Sequence, residues 1–202
     1  MRVFGKVALP AIVLAFGVTA GGAQSLSGAK LVGALQHGGY VIVMRHAHSP
    51  IQPPDKSAAE SGNTKGERQL DDRGKADAKE MGDALRRLKI PIGEVLSSPT
   101  YRAQETARYA KLPEPRAVPE LGENGASMQG VTTEQAEWLR RRVKEFPKGT
   151  NTLLVTHSPN LKAAFPQEAS DLADGEALIF GPDGRGGAAL IGRVKIEDWN
   201  KL

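Results

Sequence analysis

Three predicted strands in this sequence are each followed by side chains that bind anions or act as nucleophiles. Because the carboxyl ends of parallel strands meet at one edge of a sheet, we expect these side chains to converge there. Arginine forks match the oxygens of a phosphoryl group, and backbone N–H groups at helix starts add donors. The pattern therefore predicts a site for a doubly charged phosphoryl group. Its members are Arg45 and His46 after the first strand, Arg102 after the second, and His157 after the third.

The strands that would position these groups are short apolar runs bounded by glycine, proline or polar residues. Unbroken apolar runs of this length are typical of strands buried on both faces of a parallel sheet. Two further runs surround a Pro-Asp-Gly turn and predict a hairpin near the end of the chain. The predicted strands are Tyr40–Met44, Glu94–Ser97, Thr152–Thr156, Ala177–Phe180 and Ala188–Ile196.

Helices with capping signals alternate with these strands. Ser27 and Asp71 are candidate N-caps, and Thr132 with Gln135 forms a candidate capping box for a helix through Phe146. Another helix is expected from Thr100 to about Ala110. The order of elements predicts an α/β fold, a three-layer α/β/α sandwich with a mainly parallel central sheet.

Two irregular segments are expected beside the site. The polar connection from Ser49 to Gln69 leaves the carboxyl end of the first strand and would lie over it. The segment Leu112–Gly130 holds three prolines and, among its acidic residues, the pair Glu120 and Glu123. No internal repeat is present, so residues 24–202 are interpreted as one domain.

The first 23 residues have the pattern of a secretory signal. Arg2 and Lys6 give a basic start, Val7–Val18 is nearly uniformly apolar, and small residues follow. The apolar run is shorter than the roughly 20 residues that span a bilayer, so cleavage after Ala20 or Ala23 is favoured over a membrane anchor. We therefore expect an exported protein, periplasmic or secreted, with no stable membrane insertion after the signal is removed.

Charge and cysteine content exclude several classes of function. Without Arg2 and Lys6, 25 of the 27 lysines and arginines stand against 23 acidic residues, and this near balance gives no basic stripe for nucleic acid. The absence of cysteine excludes disulfides, a thiolate nucleophile and cysteine-ligated zinc.

The motifs around these residues resemble those of the histidine phosphatase superfamily, whose fold is phosphoglycerate-mutase-like. Arg45-His46-Ala47-His48-Ser49 is similar to its R-H-(G/A)-x-(S/T) signature, and the segment from Ser97 to Ala107 is similar to its S-S-P-x-x-R-A-x-x-T-A segment. Val155-Thr156-His157 resembles the strand that bears the second histidine. The similarity spans roughly residues 40–165, with the three motifs in the family's order.

The resemblance implies a two-step mechanism through a phosphohistidine. His46 would attack phosphorus, while Arg45, Arg102 and His157 would bind the phosphoryl oxygens. Water would then hydrolyse the intermediate. Since the fixed cations neutralise the phosphoryl charge, no metal and no cofactor is expected.

The leaving group needs a proton, which a glutamate supplies in the larger branch of the family. Leu121-Gly122-Glu123 fits the family's L-x-E pattern loosely, so Glu123 is the first choice of general acid and Glu120 the second. The alternative is that both are solvated loop carboxylates.

Other residues near the motifs are assigned by position. Arg68, just before the cap Asp71, is predicted to reach the phosphate or to lie on the surface. Ser158 stands where glycine is common in the family and would add a phosphate donor or alter access beside His157. His48 should lie at the rim of the site.

These observations predict a phosphomonoester hydrolase with a small phosphorylated substrate. A hydrolase is favoured over a mutase because the long insertion typical of mutases is not evident. Two alternatives stay open: a phosphoprotein phosphatase acting on phosphohistidine, and a non-catalytic phosphate- or phosphosugar-binding protein of the same fold. Envelope sugar phosphates and scavenged phosphomonoesters are further possible substrates, and no pattern predicts an oligomeric state.

Overall fold

Among the residues that the structure describes, six strands form one sheet, and four of them are parallel. In chain order they are β1 (Val41–Arg45), β2 (Ile92–Ser97), β3 (Arg116–Ala117), β4 (Asn151–Thr156), β5 (Ala177–Pro182) and β6 (Ala188–Val194). Across the sheet the order is β3-β2-β4-β1-β5-β6. The pairs among β3, β2, β4 and β1 are parallel, while β5 and β6 continue the sheet as an antiparallel hairpin. The prediction of a mainly parallel sheet is confirmed.

This computed structural model describes residues 25–50, 68–122 and 131–202. The predicted signal sequence, most of the connection between Ser49 and Gln69, and Glu123 lie outside the described residues. Within the described ranges, no helix is both long and apolar enough to cross a membrane.

In the described part of the chain, five α-helices cover the two faces of the sheet. They are α1 (Gly28–His37), α2 (Asp72–Arg87), α3 (Tyr101–Tyr109), α4 (Thr133–Arg142) and α5 (Ser158–Ala164). Two 3₁₀ helices, Pro119–Leu121 and Ile196–Lys201, were not predicted. The first of these and β3 lie inside the segment 112–130 that was expected to be irregular throughout.

The central strand β1 contributes side chains to both apolar layers, because successive residues of a strand point to opposite faces. Ile42 and Met44 pack in the layer formed with α1, α2 and α3. Val41 and Val43 pack in the layer formed with α4 and α5. The three-layer architecture predicted from the order of elements is confirmed, and the ends of β1, β2 and β4 lie between two packed helix layers.

Two of the three predicted helix starts have the expected capping bonds. Asp71 accepts a bond from Gly74 N–H at 2.8 Å, and Thr132 and Gln135 form both bonds of a capping box. Ser27 precedes α1, but its side chain makes no capping bond. The next residue, Gly28, has φ 52°, so the chain enters α1 without the regular first-turn geometry that a capping side chain needs.

Helix α4 ends at Arg142, four residues before the predicted end at Phe146. The amides of Lys144 and Glu145 each bond the carbonyl three residues earlier, so the chain tightens after the last α-helical turn. Pro147 then requires the residue before it to leave helical geometry.

Close packing of α2 against the end of α3 depends on a glycine. A Cβ at Gly82 would overlap the carbonyl oxygen of Ala110. Because Gly82 has no side chain, the two helices approach closely, and this contact fixes the helix that carries Arg102.

Candidate active site

The ends of three neighbouring parallel strands bring the predicted site residues together. β1 pairs with β4 so that Arg45 lies opposite Thr156, the residue before His157. The N–H of His46 then donates to the Thr156 carbonyl at 3.0 Å, which continues the ladder one residue beyond β1. β2 pairs with the other side of β4 and ends at Ser97. The predicted convergence at the carboxyl edge of the sheet is confirmed, with the rings of His46 and His157 5.2 Å apart.

Arg102 bridges the two histidines. Its Nε donates to His46 Nε2 at 3.2 Å, and its Nη2 lies 3.1 Å from His157 Nδ1. All three side chains are at least nine-tenths buried. A single guanidinium therefore fixes the relative position of both imidazoles.

Thr106 ties the helix that carries Arg102 to the segment that carries His46. Its hydroxyl donates to the Arg102 carbonyl at 2.8 Å and accepts from the Ala47 N–H at 3.1 Å. Because Thr106 lies one turn after Arg102 in α3, this contact sets the distance between the arginine and the nucleophile candidate.

Hydrogen bonds determine which nitrogen of His46 carries the proton. Nδ1 lies 2.8 Å from the carbonyl oxygen of Ala47, which can only accept, so Nδ1 is the protonated nitrogen. Nε2 faces the Nε–H of Arg102 and therefore holds a lone pair. A lone pair on Nε2 is what nucleophilic attack requires.

His157 has the opposite tautomer. Its Nδ1 faces Arg102, which has only donors, so Nδ1 holds the lone pair and Nε2 is protonated. Nε2 donates to Ser98 Oγ at 2.8 Å, and Ser98 Oγ in turn donates to Thr100 Oγ1 at 3.1 Å. His157 thus presents an N–H in a fixed direction within a chain of hydroxyl groups.

Burial lowers the pKa of His46 and the pKa of His157 well below 6.5. The charge of Arg102 is the second cause for each, because a neighbouring cation opposes protonation of an imidazole. The bond to the Ala47 carbonyl offsets part of this effect on the His46 pKa. Both imidazoles are consequently neutral near neutral pH.

Arg45 and Arg68 add positive charge near the imidazoles of His46 and His157. The charges of both lower the pKa values of His46 and His157, so both guanidiniums act on the pair of imidazoles. Arg45 pairs with Asp174 at 2.5 Å and donates to the Leu172 carbonyl at 3.3 Å. Its buried Nε has no hydrogen-bond partner among the described residues.

Leu121 and Gly122, which directly precede the predicted general acid Glu123, are held by hydrogen bonds from three side chains. Thr156 Oγ1 donates to the Leu121 carbonyl at 2.7 Å. The side-chain amides of Asn160 and Gln135 both donate to the Gly122 carbonyl, each at 3.0 Å. Glu120 is half-buried within the 3₁₀ helix just before this point.

Three residues were not assigned a role from the sequence. Ser98 was part of the quoted motif, but nothing in the motif indicated its bond to His157. Asn160 stood in a segment that departs from the family pattern, and that departure was the available signal. Asp174 lies between the predicted strands Thr152–Thr156 and Ala177–Phe180, and no local pattern connects it with Arg45. Ser158 is half-buried at the first position of α5, and its predicted contact with phosphate stays a prediction.

Chemically, this arrangement suits a tetrahedral dianion. It combines a neutral nucleophile, an imidazole N–H and several guanidinium groups, which together can hold three oxygens and attack the central atom. Among the described residues, no group of three or more histidine or carboxylate side chains is placed to hold a metal ion.

A family comparison agrees with this geometry. The family model described as histidine phosphatase superfamily (branch 1) matches residues 41–141, half of the 202-residue chain. The matched part contains Arg45, His46 and Arg102. A search of curated proteins found no match.

Solved structures with a similar fold include known and putative phosphatases. The protein histidine phosphatase SixA, complexed with tungstate, has a TM-score of 0.58 and 19% identity, covering 79% of this chain and 98% of its own. Phosphoserine phosphatase from Entamoeba histolytica, in complex with 3-phosphoglyceric acid, has a TM-score of 0.54 and 16% identity, with 76% and 95% covered. A putative phosphohistidine phosphatase SixA from Agrobacterium tumefaciens has a TM-score of 0.52 and 18% identity, with 77% and 97% covered. At these identities the similarity establishes the fold.

The lowered pKa values predict how the two histidines titrate. In wild-type protein, both should stay neutral at pH values where an ordinary histidine, with a pKa near 6.5, is half protonated. Replacing Arg102 by methionine should raise both pKa values, but not fully to 6.5, because burial remains. Side-chain ¹H–¹⁵N spectra recorded against pH measure this, with the exposed Arg87→Met as control. Titration of either histidine near pH 6.5 in the wild type would contradict the prediction that both pKa values are lowered.

The lowered pKa values of His46 and His157 also determine how the free energy of unfolding changes with pH. Between the lowered folded values and 6.5, the unfolded chain binds more protons than the folded protein. The contribution of these histidines to the free energy of unfolding is therefore lost as pH falls through this window.

Proposed function

Since this chain belongs to the histidine phosphatase superfamily, branch 1, we propose that it is a phosphomonoester hydrolase that acts through a phosphohistidine on His46. The observation that carries this proposal is the state of His46. It is neutral, its protonated Nδ1 is fixed by the Ala47 carbonyl, and its Nε2 lone pair lies beside Arg102 and His157. The proposed nucleophile, His46, therefore lies in direct contact with the groups that would bind the phosphoryl oxygens.

In the first step, the Nε2 lone pair of His46 attacks phosphorus, and an N–P bond forms as the bond to the leaving oxygen breaks. The leaving alkoxide takes a proton from a general acid. In the second step, water attacks phosphorus, the N–P bond breaks, and the conjugate base of the acid takes the proton of the water. Inorganic phosphate leaves, and His46 returns to its neutral form with Nδ1 still bound to Ala47 O.

Arg102 has two successive roles in this scheme. Without substrate its Nε donates to the Nε2 lone pair of His46. When a phosphoryl group enters, an oxygen of that group accepts the same donor and Nε2 becomes available for attack. Arg102 then stabilises charge on the equatorial oxygens, together with Arg45 and the N–H of His157.

For the general acid we keep the order given by the sequence, with Glu123 first and Glu120 second. What supports this choice is that the backbone just before Glu123 is fixed beside the site. The Leu121 carbonyl is bound by Thr156, which immediately precedes His157. Glu120 lies in the same anchored stretch and is the alternative.

The nucleophile assignment is tested by phosphate release from p-nitrophenyl phosphate in the presence of EDTA. We expect wild-type activity to be unaffected by EDTA, because arginines take the place of a metal. His46→Ala should lower kcat/KM by about 1,000-fold or more, since the covalent step is lost. His37→Ala, an exposed histidine bound within α1, is the matched control and should keep full activity.

Each other result has a definite meaning. Loss of activity with EDTA would show that a metal takes part. Activity retained by His46→Ala would show that the nucleophile is wrong. Phosphate binding without release by the wild type would favour a phosphate- or phosphosugar-binding protein.

The general acid is tested by comparing the activity of glutamate variants on substrates with poor and good leaving groups. With an alkyl phosphate, Glu123→Gln should lower kcat by about 100-fold or more, because an alkoxide leaves only when protonated. With p-nitrophenyl phosphate the loss should be much smaller, since p-nitrophenolate leaves without a proton. Glu120→Gln should have little effect on either substrate. The reverse pattern would assign the role to Glu120, and two unaffected variants would leave both as solvated carboxylates.

We also propose that residues 1–23 are removed on export and that residues 24–202 act as one periplasmic or secreted domain. The support is the basic start, the short apolar run and the small residues near Ala20 and Ala23. N-terminal sequencing of the protein recovered from its own cells should begin after one of these alanines. A chain that keeps Arg2 and Lys6 would contradict the proposal.

A further inference from the structure

The turn that joins α5 to β5 is bonded directly to the backbone of the two residues at the end of β1. The N–H of Gly175 donates to the His46 carbonyl at 3.0 Å. The N–H of Arg45 donates to the Glu176 carbonyl at 3.1 Å. Residues 173–176, here called the Asp174 turn, therefore have a fixed position relative to the nucleophile candidate.

The Asp174 turn is also held from its other side. Glu176 is buried, accepts from the Ala173 N–H at 3.0 Å and from Arg193 Nε of β6 at 2.8 Å. Gly175 has φ 68°, and a Cβ at this position would overlap the side chain of Ile196. An ion pair between the buried Glu176 and the exposed Arg193, together with a left-handed glycine, thus defines the conformation of this turn.

From this turn the carboxylate of Asp174 reaches the guanidinium of Arg45. Oδ1 lies 2.5 Å from Arg45 Nη2, and Nη1 donates to the Leu172 carbonyl at 3.3 Å. These two contacts engage each of the two Nη groups once. Nε is buried and has no hydrogen-bond partner among the described residues, while part of the guanidinium stays exposed. Each side chain of the pair is about a quarter exposed, so solvent screens the pair only in part.

The second oxygen of Asp174 faces His48. His48 Nε2 lies 3.9 Å from Asp174 Oδ2, while His48 Nδ1 bonds the capping residue Asp71 at 2.8 Å. His48 therefore does not merely line a rim, as the sequence indicated. It lies between two carboxylates and, with the rigid turn, restricts how the Asp174 carboxylate can rotate.

We propose that Asp174 is a positioning residue of the active site, whose carboxylate orients the Arg45 guanidinium toward the phosphoryl group. This inference rests on the proposed function for its catalytic meaning. A free arginine side chain has many rotamers, and an ion pair on one side of its fork leaves the other side in a defined direction. A carboxylate is otherwise unfavourable beside a phosphate site, so its presence there is explained by what it does to Arg45.

The test uses Asp174→Ala and Asp174→Asn in the full chain. With p-nitrophenyl phosphate, Asp174→Ala should raise KM by about tenfold with a small change in kcat, because Arg45 binds the phosphoryl group in both ground and transition states. The dissociation constant of inorganic phosphate, measured by calorimetry, should rise by a similar factor. Asp174→Asn keeps an acceptor oxygen for Arg45 and should recover part of the loss.

Asp171→Ala is the matched control. Asp171 is an exposed carboxylate close to the same turn, and it pairs with Arg193 without contacting Arg45. We expect its KM and phosphate affinity to equal those of the wild type. Thermal melting of all variants shows whether a change reflects loss of folding.

A double variant separates positioning from a merely structural role. If Asp174 acts through Arg45, then Asp174→Ala should have no further effect on phosphate affinity in an Arg45→Ala background. An equal loss in both backgrounds would overturn the proposal. So would tighter phosphate binding by Asp174→Ala, which would make Asp174 a competitor of the phosphate. Wild-type protein that binds phosphate but releases none from an ester would overturn the proposed hydrolase and leave the positioning role measurable by calorimetry.

Discussion

The structure of the site depends on one buried cation placed between two imidazoles. A guanidinium taken out of water is costly unless its donors are bonded, and two of the partners of Arg102 are lone pairs of His46 and His157. This arrangement is stable only while both imidazoles are neutral, which the same cation promotes by lowering their pKa values. The cation that we propose to stabilise an incoming anion thus also keeps the proposed nucleophile unprotonated. Burial and charge act in the same direction on both histidines.

The surrounding fold serves to keep these three side chains at hydrogen-bonding distance. Parallel pairing of β1 with β4 places one histidine after each strand, and backbone bonds extend the pairing past the strand ends. Thr106 fixes α3 to the Ala47 amide, so Arg102 cannot move independently of His46. The Asp174 turn applies the same kind of constraint from the opposite side. The site is therefore rigid because elements from distant parts of the chain are bonded at the atoms next to the reacting groups.

Polar side chains beyond the first contacts complete the active site. Arg102, which has only donors, sets the tautomer of His157; Ser98 accepts the resulting Nε2–H, and Thr100 accepts from Ser98. Asn160 and Gln135 hold the Gly122 carbonyl, and Thr156 holds that of Leu121. Such contacts decide directions of donors and lone pairs, and a displacement of about 1 Å at a phosphoryl-transfer site is enough to lower the rate substantially.

The sequence by itself determined the layer architecture, the strands that end at the candidate site, and the residue types that meet there. These follow from local patterns: apolar runs, the caps at Asp71 and Thr132, and the motifs around His46, Arg102 and His157. Where a prediction of local structure was wrong, as at Ser27 and at the end of α4, backbone geometry a few residues away was responsible. The early end of α4 at Arg142 depends on the tightening turn before Pro147.

Only the tertiary structure decided the tautomers of the two histidines, the pairing of Arg45 with Asp174, and the place of His48 between two carboxylates. Each of these depends on the distance between atoms that are far apart in the chain. Residue types and spacing indicate that a carboxylate or an imidazole is present, but which donor it faces is set by packing. Chemistry at the site is therefore encoded locally, while its protonation states and orientations are properties of the folded chain.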